Sequence, residues 1–97
     1  MTTYTEIKTE LQSALNNGED LEQMREQSNE WVEGFVPVYY NRIVEEWQAM
    51  PSEYNDRGHA ELGQGGEINI YNLMSLDLYL YYSELVERAI SELEKED

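Results

Sequence analysis

Cysteine is absent from this chain, and histidine occurs once among its 97 residues. Without cysteine there is no disulfide framework, no thiolate metal site and no thiol nucleophile. The single histidine, His59, excludes the two-histidine zinc motif and the usual di-iron bundle site, which takes a Glu-x-x-His from each of two helices. We therefore predict no cofactor, and the lack of thiols fits a reducing, cytoplasmic setting.

Long apolar runs are missing as well. The N-terminal residues MTTYTEIK lack the basic-then-apolar order of a signal peptide, and no run approaches the ~20 apolar residues that cross a bilayer. We expect a soluble protein without membrane contact. Because 40% of the residues are apolar, the chain can build one modest core, and we predict a single helical domain over residues 1–97.

Basic residues are scarce: six Lys and Arg stand against 21 Asp and Glu, which gives a net charge of -15. Such a field opposes direct binding to nucleic acid or to an anionic membrane, and it attracts a basic protein. Acidity of this size also keeps a small protein soluble without any binding role. Composition alone leaves both interpretations open.

Apolar residues recur at helical spacing in four segments of the chain. These segments cover about residues 3–16, 20–33, 37–50 and 69–94. Thr3 and Glu6 have the spacing of a capping box, and Asn17-Gly18 is typical of a helix end. The pattern predicts an all-α fold, a bundle of three or four helices whose simplest arrangement is antiparallel.

The third and fourth segments carry most of the aromatic residues. Pro37 suits the first position of the third helix, so Tyr39 and Tyr40 fall on its apolar face with Trp47 and are predicted to lie in the core. The fourth helix is apolar all round between residues 70 and 82, which predicts neighbours on several sides. It is either the central helix of the bundle or, through residues at about 69–94, the contact in a homodimer.

A glycine-rich stretch at about 51–67, PSEYNDRGHAELGQGGE, separates these two helices. Its His59, with Asp56 and Glu61 nearby, lacks the further ligands or the nucleophile that a zinc or catalytic site requires. Its glycines lack the lysine and Ser/Thr of a phosphate-binding P-loop. We interpret the stretch as a long connecting loop, with a contact site as the alternative.

The second helix carries a regular row of carboxylates, spaced three or four residues apart. The row, called here the acidic stripe, consists of Glu19, Glu22, Glu26, Glu30 and Glu33. Like charges at this spacing oppose helix formation by a few tenths of a kcal/mol per pair, a cost that a lysine or two would have removed. Because evenly spaced charges resemble the phosphate track of nucleic acid, we predict that the stripe binds a basic partner. An ordinary solvated face is the alternative.

Tyrosines of the fourth helix supply the other part of this predicted site. Tyr79, Tyr81 and Tyr82 point in three directions and cannot all face one core. Tyrosine is enriched at protein interfaces because it is large and keeps a polar tip. We therefore predict that Tyr79 and Tyr81 contribute a contact to a partner or to a second copy.

Two carboxylate pairs suggest a further function. Glu30-x-x-Glu33 and Glu84-x-x-Glu87 resemble the Glu-x-x-Glu and Glu-x-x-Asp pairs of MazG-like nucleotide pyrophosphohydrolases. The resemblance implies magnesium binding and hydrolysis of nucleoside triphosphates. The chain departs from the family pattern in having Glu87 where the family has Asp, and in the longer gap between the pairs.

In general character the whole chain, small and acidic without cysteine or catalytic motif, resembles the accessory proteins that bacteriophages encode to bind and inhibit host machinery. Some of those proteins mimic DNA. These features lead to the hypothesis of a non-enzymatic binding protein whose acidic surface engages a basic, nucleic-acid-binding site on a partner protein. The alternatives are a homodimeric structural or assembly protein, in which acidity only gives solubility, and the magnesium-dependent hydrolase.

Overall fold

The computed structural model describes residues 2–56 and 70–96, and within these residues the chain is helical with no strand. Six helices follow one another along this described part. They are α1 (Tyr4–Asn16), α2 (Leu21–Glu26), α3 (Ser28–Phe35), α4 (Tyr40–Ala49), α5 (residues 52–56) and α6 (Ile70–Glu96). The predicted all-α fold is therefore confirmed. No helix in the two described ranges combines the length and hydropathy needed to span a bilayer.

The helix α1 begins and ends where its sequence predicts. The Thr3 hydroxyl oxygen accepts a hydrogen bond from the Glu6 amide at 3.2 Å, which is one half of a capping box. Asn17 caps the other end, and Gly18 follows with a φ of 105°, a conformation that side chains other than glycine's rarely adopt.

The predicted second helix is divided in two. Asp20 caps α2 by accepting a hydrogen bond from the Gln23 amide at 2.7 Å. Gln27, with φ -101° and ψ 19°, then departs from helical geometry, and α3 restarts at Ser28. Serine and asparagine favour helix starts and turns over helix interiors, which accounts for the break at the Ser-Asn pair. The acidic stripe consequently lies on two short helices and not on one rigid rod.

The start of α4 corrects two predictions. The helix begins at Tyr40 instead of Pro37, with Tyr39 as an extended N-cap. Helical side chains tilt toward the N-terminus, so those of the first turn project past the end of the helix. Tyr39 and Tyr40 are accordingly 71% and 61% exposed and do not lie in the core. Trp47, two turns further on, is buried as predicted.

The predicted loop at about 51–67 contains a helical turn. Pro51 ends α4, and its carbonyl accepts a hydrogen bond from the Tyr54 amide at 3.0 Å as α5 begins. Proline is favoured at a helix start, because its missing N–H would be unpaired there anyway. The remainder of the predicted loop, with His59 and Glu61, lies outside the described residues.

The chain groups into two compact units. The first unit is Val36–Tyr81, and the second is Thr2–Phe35 together with Tyr82–Asp97. The buried apolar side chains of the first unit are Ile43, Trp47, Met50, Met74 and Leu78. Those of the second unit are Ile7, Leu11, Met24, Val32, Tyr82, Val86, Ala89, Ile90 and Leu93. That residues 1–97 form one domain stays a prediction.

Within the second unit, α1 runs parallel to the C-terminal half of α6. The guanidinium of Arg88 lies 4.4 Å from the centre of the Tyr4 ring. One turn further along α1, Lys8 pairs with Glu92 and Glu96, which lie one and two turns further along α6. Because both positions advance together, the two helices point the same way. The antiparallel arrangement predicted as the simplest one is therefore wrong for this pair.

The segment α2–α3 runs antiparallel to the same half of α6. Arg25 on α2 pairs with Glu94, near the end of α6. Phe35 at the end of α3 lies against Tyr82, three turns earlier on α6, with ring centres 6.4 Å apart. In the second unit, α1 and the segment α2–α3 thus both contact the C-terminal half of α6.

Candidate functional site

All five carboxylates of the acidic stripe are exposed. Glu19 lies in the turn before α2, Glu22 and Glu26 lie on α2, and Glu30 and Glu33 lie on α3. In residues 2–56 and 70–96, no basic side chain comes within ion-pair distance of any of them. Their charges therefore face solvent without compensation from the described part of the chain.

The described basic side chains are mostly engaged elsewhere. Arg25 lies on α2 itself, but its guanidinium donates to Glu94 of α6 at 2.6 Å and not to a stripe carboxylate. In the first unit, Arg42 pairs with the buried Glu46 at 3.7 Å. Two further bases pair with carboxylates of α6. Four of the five bases in the described ranges thus neutralise carboxylates outside the stripe.

The contact of α1 with α6 holds an ionic cluster of Tyr4, Lys8, Arg88, Glu92 and Glu96. The Lys8 ammonium donates to Glu96 at 2.7 Å and to Glu92 at 3.4 Å, and these contacts raise the pKa of Lys8. The Tyr4 hydroxyl oxygen is buried beside the Glu92 carboxylate. This burial first, and the nearby Glu92 carboxylate second, raise the pKa of Tyr4. The Tyr4 hydroxyl, followed by Lys8 and Arg88, lowers the pKa of Glu92.

A cavity of about 290 Å³ opens beside the acidic stripe in the second unit, and we call it the aromatic–acidic pocket. Its lining residues are Glu10, Glu19, Gln27, Glu30, Trp31, Gly34 and Phe35. Trp31 and Phe35 are half-buried, whereas the three glutamates are exposed. The fold therefore brings two stripe residues, Glu19 and Glu30, to one cavity with an aromatic wall. The other three stripe carboxylates lie outside it.

The chemistry of this pocket suits an organic cation. A guanidinium or ammonium within about 6 Å of a tryptophan ring gains about 0.5–1 kcal/mol at an exposed site and about 2 kcal/mol when desolvated. Carboxylates add charge-assisted hydrogen bonds to the same groups. Small-molecule sites usually measure about 300–1,000 Å³, so this pocket is at the small end and fits one side chain better than a cofactor.

Of the seven pocket residues, sequence reasoning assigns only Glu19 and Glu30 to a binding site. The acidic stripe predicted on the second helix includes neither Trp31 nor Phe35, and Glu10 of the first helix has no predicted role. The break at Gln27 sets the direction of α3, and therefore of both aromatic side chains. Glu10 reaches the pocket only because the chain reverses at Gly18. The Ser-Asn pair was the one local signal that could have indicated the break.

The two predicted contact tyrosines lie in the first unit and are half-buried. Tyr81 packs edge-to-face against Tyr54 of α5, with ring centres 4.9 Å apart and an angle of 65° between the rings. Much of its aromatic surface is therefore used inside the chain. The most exposed tyrosines of the described residues are instead Tyr39 and Tyr40.

The glutamates of the MazG-like pattern lie on α3 and α6, with Glu30 and Glu33 on the former and Glu84 and Glu87 on the latter. In the described ranges, no three Asp, Glu or His side chains converge in a way that could hold a metal ion. The described residues therefore do not assemble the two pairs into one magnesium site. His59 lies outside these ranges.

Comparison with known proteins finds no matching family model, no similar curated protein and no similar solved structure.

Proposed function

We propose that this protein is an acidic binding protein that engages a basic site on a partner protein through the acidic stripe and the aromatic–acidic pocket. The observation that carries the proposal is the separation of charges. The five stripe carboxylates are exposed and unpaired within the described residues, while four of the five described bases serve other carboxylates. A surface needed only for solubility could mix acids and bases, because opposite charges at i,i+4 stabilise a helix. Keeping the bases away from the stripe gives such a surface no advantage.

The spacing of the stripe sets a limit on the likeness to nucleic acid. Charges three or four residues apart on a helix are separated by about 4.5–6 Å along its axis. One DNA strand carries a charge every 3.4 Å or so. The stripe therefore has the lower charge density, and the break at Gln27 interrupts its regularity. It can attract a nucleic-acid-binding site, but with weaker salt dependence than DNA itself.

The pocket supplies the specificity that a row of charges lacks. An arginine or lysine of the partner, steered by the stripe, would place its cation against Trp31 between Glu19 and Glu30. Buried aromatic and arginine contacts carry most of the binding energy in protein interfaces, whereas rim charges mainly affect the association rate. On this proposal the stripe sets the on-rate and the pocket sets the lifetime of the complex.

The proposal is tested with a synthetic arginine-rich peptide and a peptide of equal length with glutamine at each arginine. Binding is followed by tryptophan fluorescence, and Trp31→Phe assigns the signal to the pocket. We expect binding of the arginine peptide alone, with an affinity that falls as salt is added. The triple change of Glu22, Glu26 and Glu30 to Gln should weaken binding about tenfold, because exposed charge contacts contribute up to about 1 kcal/mol each.

A matched control separates the stripe from the net charge. Glu45, Glu53 and Glu87 are exposed and lie outside the stripe, so changing these three to Gln alters the net charge by the same amount. The control triple variant should bind nearly as tightly as the wild type. Equal losses in both triple variants, or an affinity insensitive to salt, would show that only overall acidity matters and would refute the proposal.

A further inference from the structure

The large apolar side chains that stand exposed in the described residues all lie in the first unit. They are Val38, Tyr39, Tyr40, Leu76 and Leu80. Leu76 and Leu80 lie four residues apart on α6 and are 46% and 52% exposed, and the half-buried Leu73 precedes them by three residues. This spacing of three and four is that of a coiled-coil seam. We call Leu73, Leu76 and Leu80 the leucine stripe.

The leucine stripe lies on a stretch of α6 that presents no exposed charge. Between residues 70 and 83 the only Asp, Glu, Lys or Arg is Asp77. Asp77 is 4% exposed, and its carboxylate accepts a hydrogen bond from the Trp47 indole N–H at 3.0 Å, so it does not accompany the leucines at the surface. Residues 84–96 of the same helix contain seven charged residues.

We propose that the leucine stripe is the contact between two copies of this chain. Two chains of net charge -15 repel each other, so the surface where neither presents a charge is the one where contact meets the least repulsion. A basic partner, by contrast, is bound best beside carboxylates, and the leucine stripe has none at its surface. In a two-fold contact the same leucines face each other from both copies, and a seam spacing is self-complementary in this way.

The proposal is tested by sedimentation velocity of the full chain over a series of concentrations up to about 1 mM. We expect a monomer–dimer equilibrium that shifts toward the dimer as salt is added, because salt screens the repulsion between the copies. Binding of a basic partner to the acidic stripe has the opposite salt dependence. The two proposals can therefore fail independently of each other.

Two variants with equal added charge locate the contact. Leu76→Glu should weaken self-association about tenfold or more, because it exchanges an apolar side chain for a carboxylate in both copies. Val38→Glu adds the same charge to another exposed apolar position, 73% exposed, and should leave the dimer intact. Both positions are on the surface, so circular dichroism should report unchanged helix content.

Three results would overturn the assignment. The first is a monomer at every concentration and salt level. The second is an equal loss of the dimer in Leu76→Glu and Val38→Glu, which would indicate general apolar association. The third is a monomeric wild type whose binding of the arginine-rich peptide is abolished by Leu76→Glu. This result would show that the leucine stripe contacts a different partner and not a second copy.

Discussion

A buried polar network joins α4, α5 and α6 in the first unit. The Trp47 indole N–H donates to Asp77 at 3.0 Å, and the Asn55 side-chain amide donates to the Trp47 carbonyl at 2.7 Å. All three residues are less than 5% exposed. A donor buried in this way is costly when it has no acceptor, because it has given up its hydrogen bonds to water. Asp77 therefore fixes the orientation of the largest core side chain.

At the residue scale we predict that Asp77→Ala lowers the free energy of unfolding by about 1–3 kcal/mol, because it leaves the indole N–H buried without an acceptor. Asp77→Asn keeps an oxygen in place and should cost less. Urea denaturation followed by circular dichroism measures both changes. If the alanine variant is as stable as the wild type, the hydrogen bond contributes nothing to the fold.

Sequence patterns predict the interior of this protein better than its helix ends. Trp47 lies on the predicted apolar face of the third helix and is buried as expected. Tyr39 and Tyr40 fit the same periodicity, but the helix starts too late to turn them inward. Periodicity tells which side of a helix a residue occupies, and it does not tell whether the neighbouring helix extends far enough to cover it.

At the element scale, α1 was predictable because its cap signals and its apolar pattern agree, and α6 was predictable because its apolar pattern is long. The break at Gln27 was not predictable, since it depends on differences in helix propensity of about tenths of a kcal/mol at Ser28 and Asn29. The aromatic–acidic pocket depends on that break, and it also requires Glu10 from α1. A site assembled from separate helices leaves no spacing signal in the sequence, whereas the acidic stripe does.

Two glycines allow opposite predictions from the same substitution. Gly18 follows α1 with a φ of 105°, so Gly18→Ala should cost about 1–2 kcal/mol of stability. Gly34 lies in the last turn of α3, and an added Cβ would meet nothing within 4 Å. Gly34→Ala should therefore stabilise the protein by about 0.5–1 kcal/mol, because alanine loses less conformational entropy in a helix.

Chemical denaturation of the two alanine variants under identical conditions checks this pair. The substitution adds one methyl group in both cases, so each variant controls for the other. Changes of the same sign would contradict the conformations assigned to the turn after α1 and to the end of α3.

At the scale of the whole molecule, the acidic and the apolar surfaces are separate in the chain. The acidic stripe belongs to the second unit, and the exposed large apolar side chains of the described residues belong to the first. If both proposals hold, a dimer presents two acidic surfaces. Two linked sites bind a repetitive basic partner more tightly than one, provided that the geometry lets both engage.

Two electrostatic effects of opposite sign act on the chain as the pH falls from 7. Protonation of carboxylates reduces the net charge from -15 and relieves self-repulsion, which stabilises the folded state. Protonation of Glu92 removes the negative charge that attracts Lys8 and Arg88. Because folding lowers the pKa of Glu92 below its ordinary value of 4.5, the stabilisation from this group is present above pH 4.5 and is lost as the pH falls through the folded-state pKa.

We therefore predict that the melting temperature rises as the pH is lowered from 7 toward 4.5 and falls at lower pH. In about 1 M salt, where the Debye length is about 3 Å, the rise should flatten because the repulsion is already screened. Glu92→Gln should reduce the fall on the acid side. Glu87→Gln makes the same charge change at an exposed position of α6 that has no ion pair among the described residues, and it should leave that fall unchanged. Identical acid-side profiles for the two variants, measured by circular dichroism, would show that the contact of α1 with α6 does not depend on the ionic cluster.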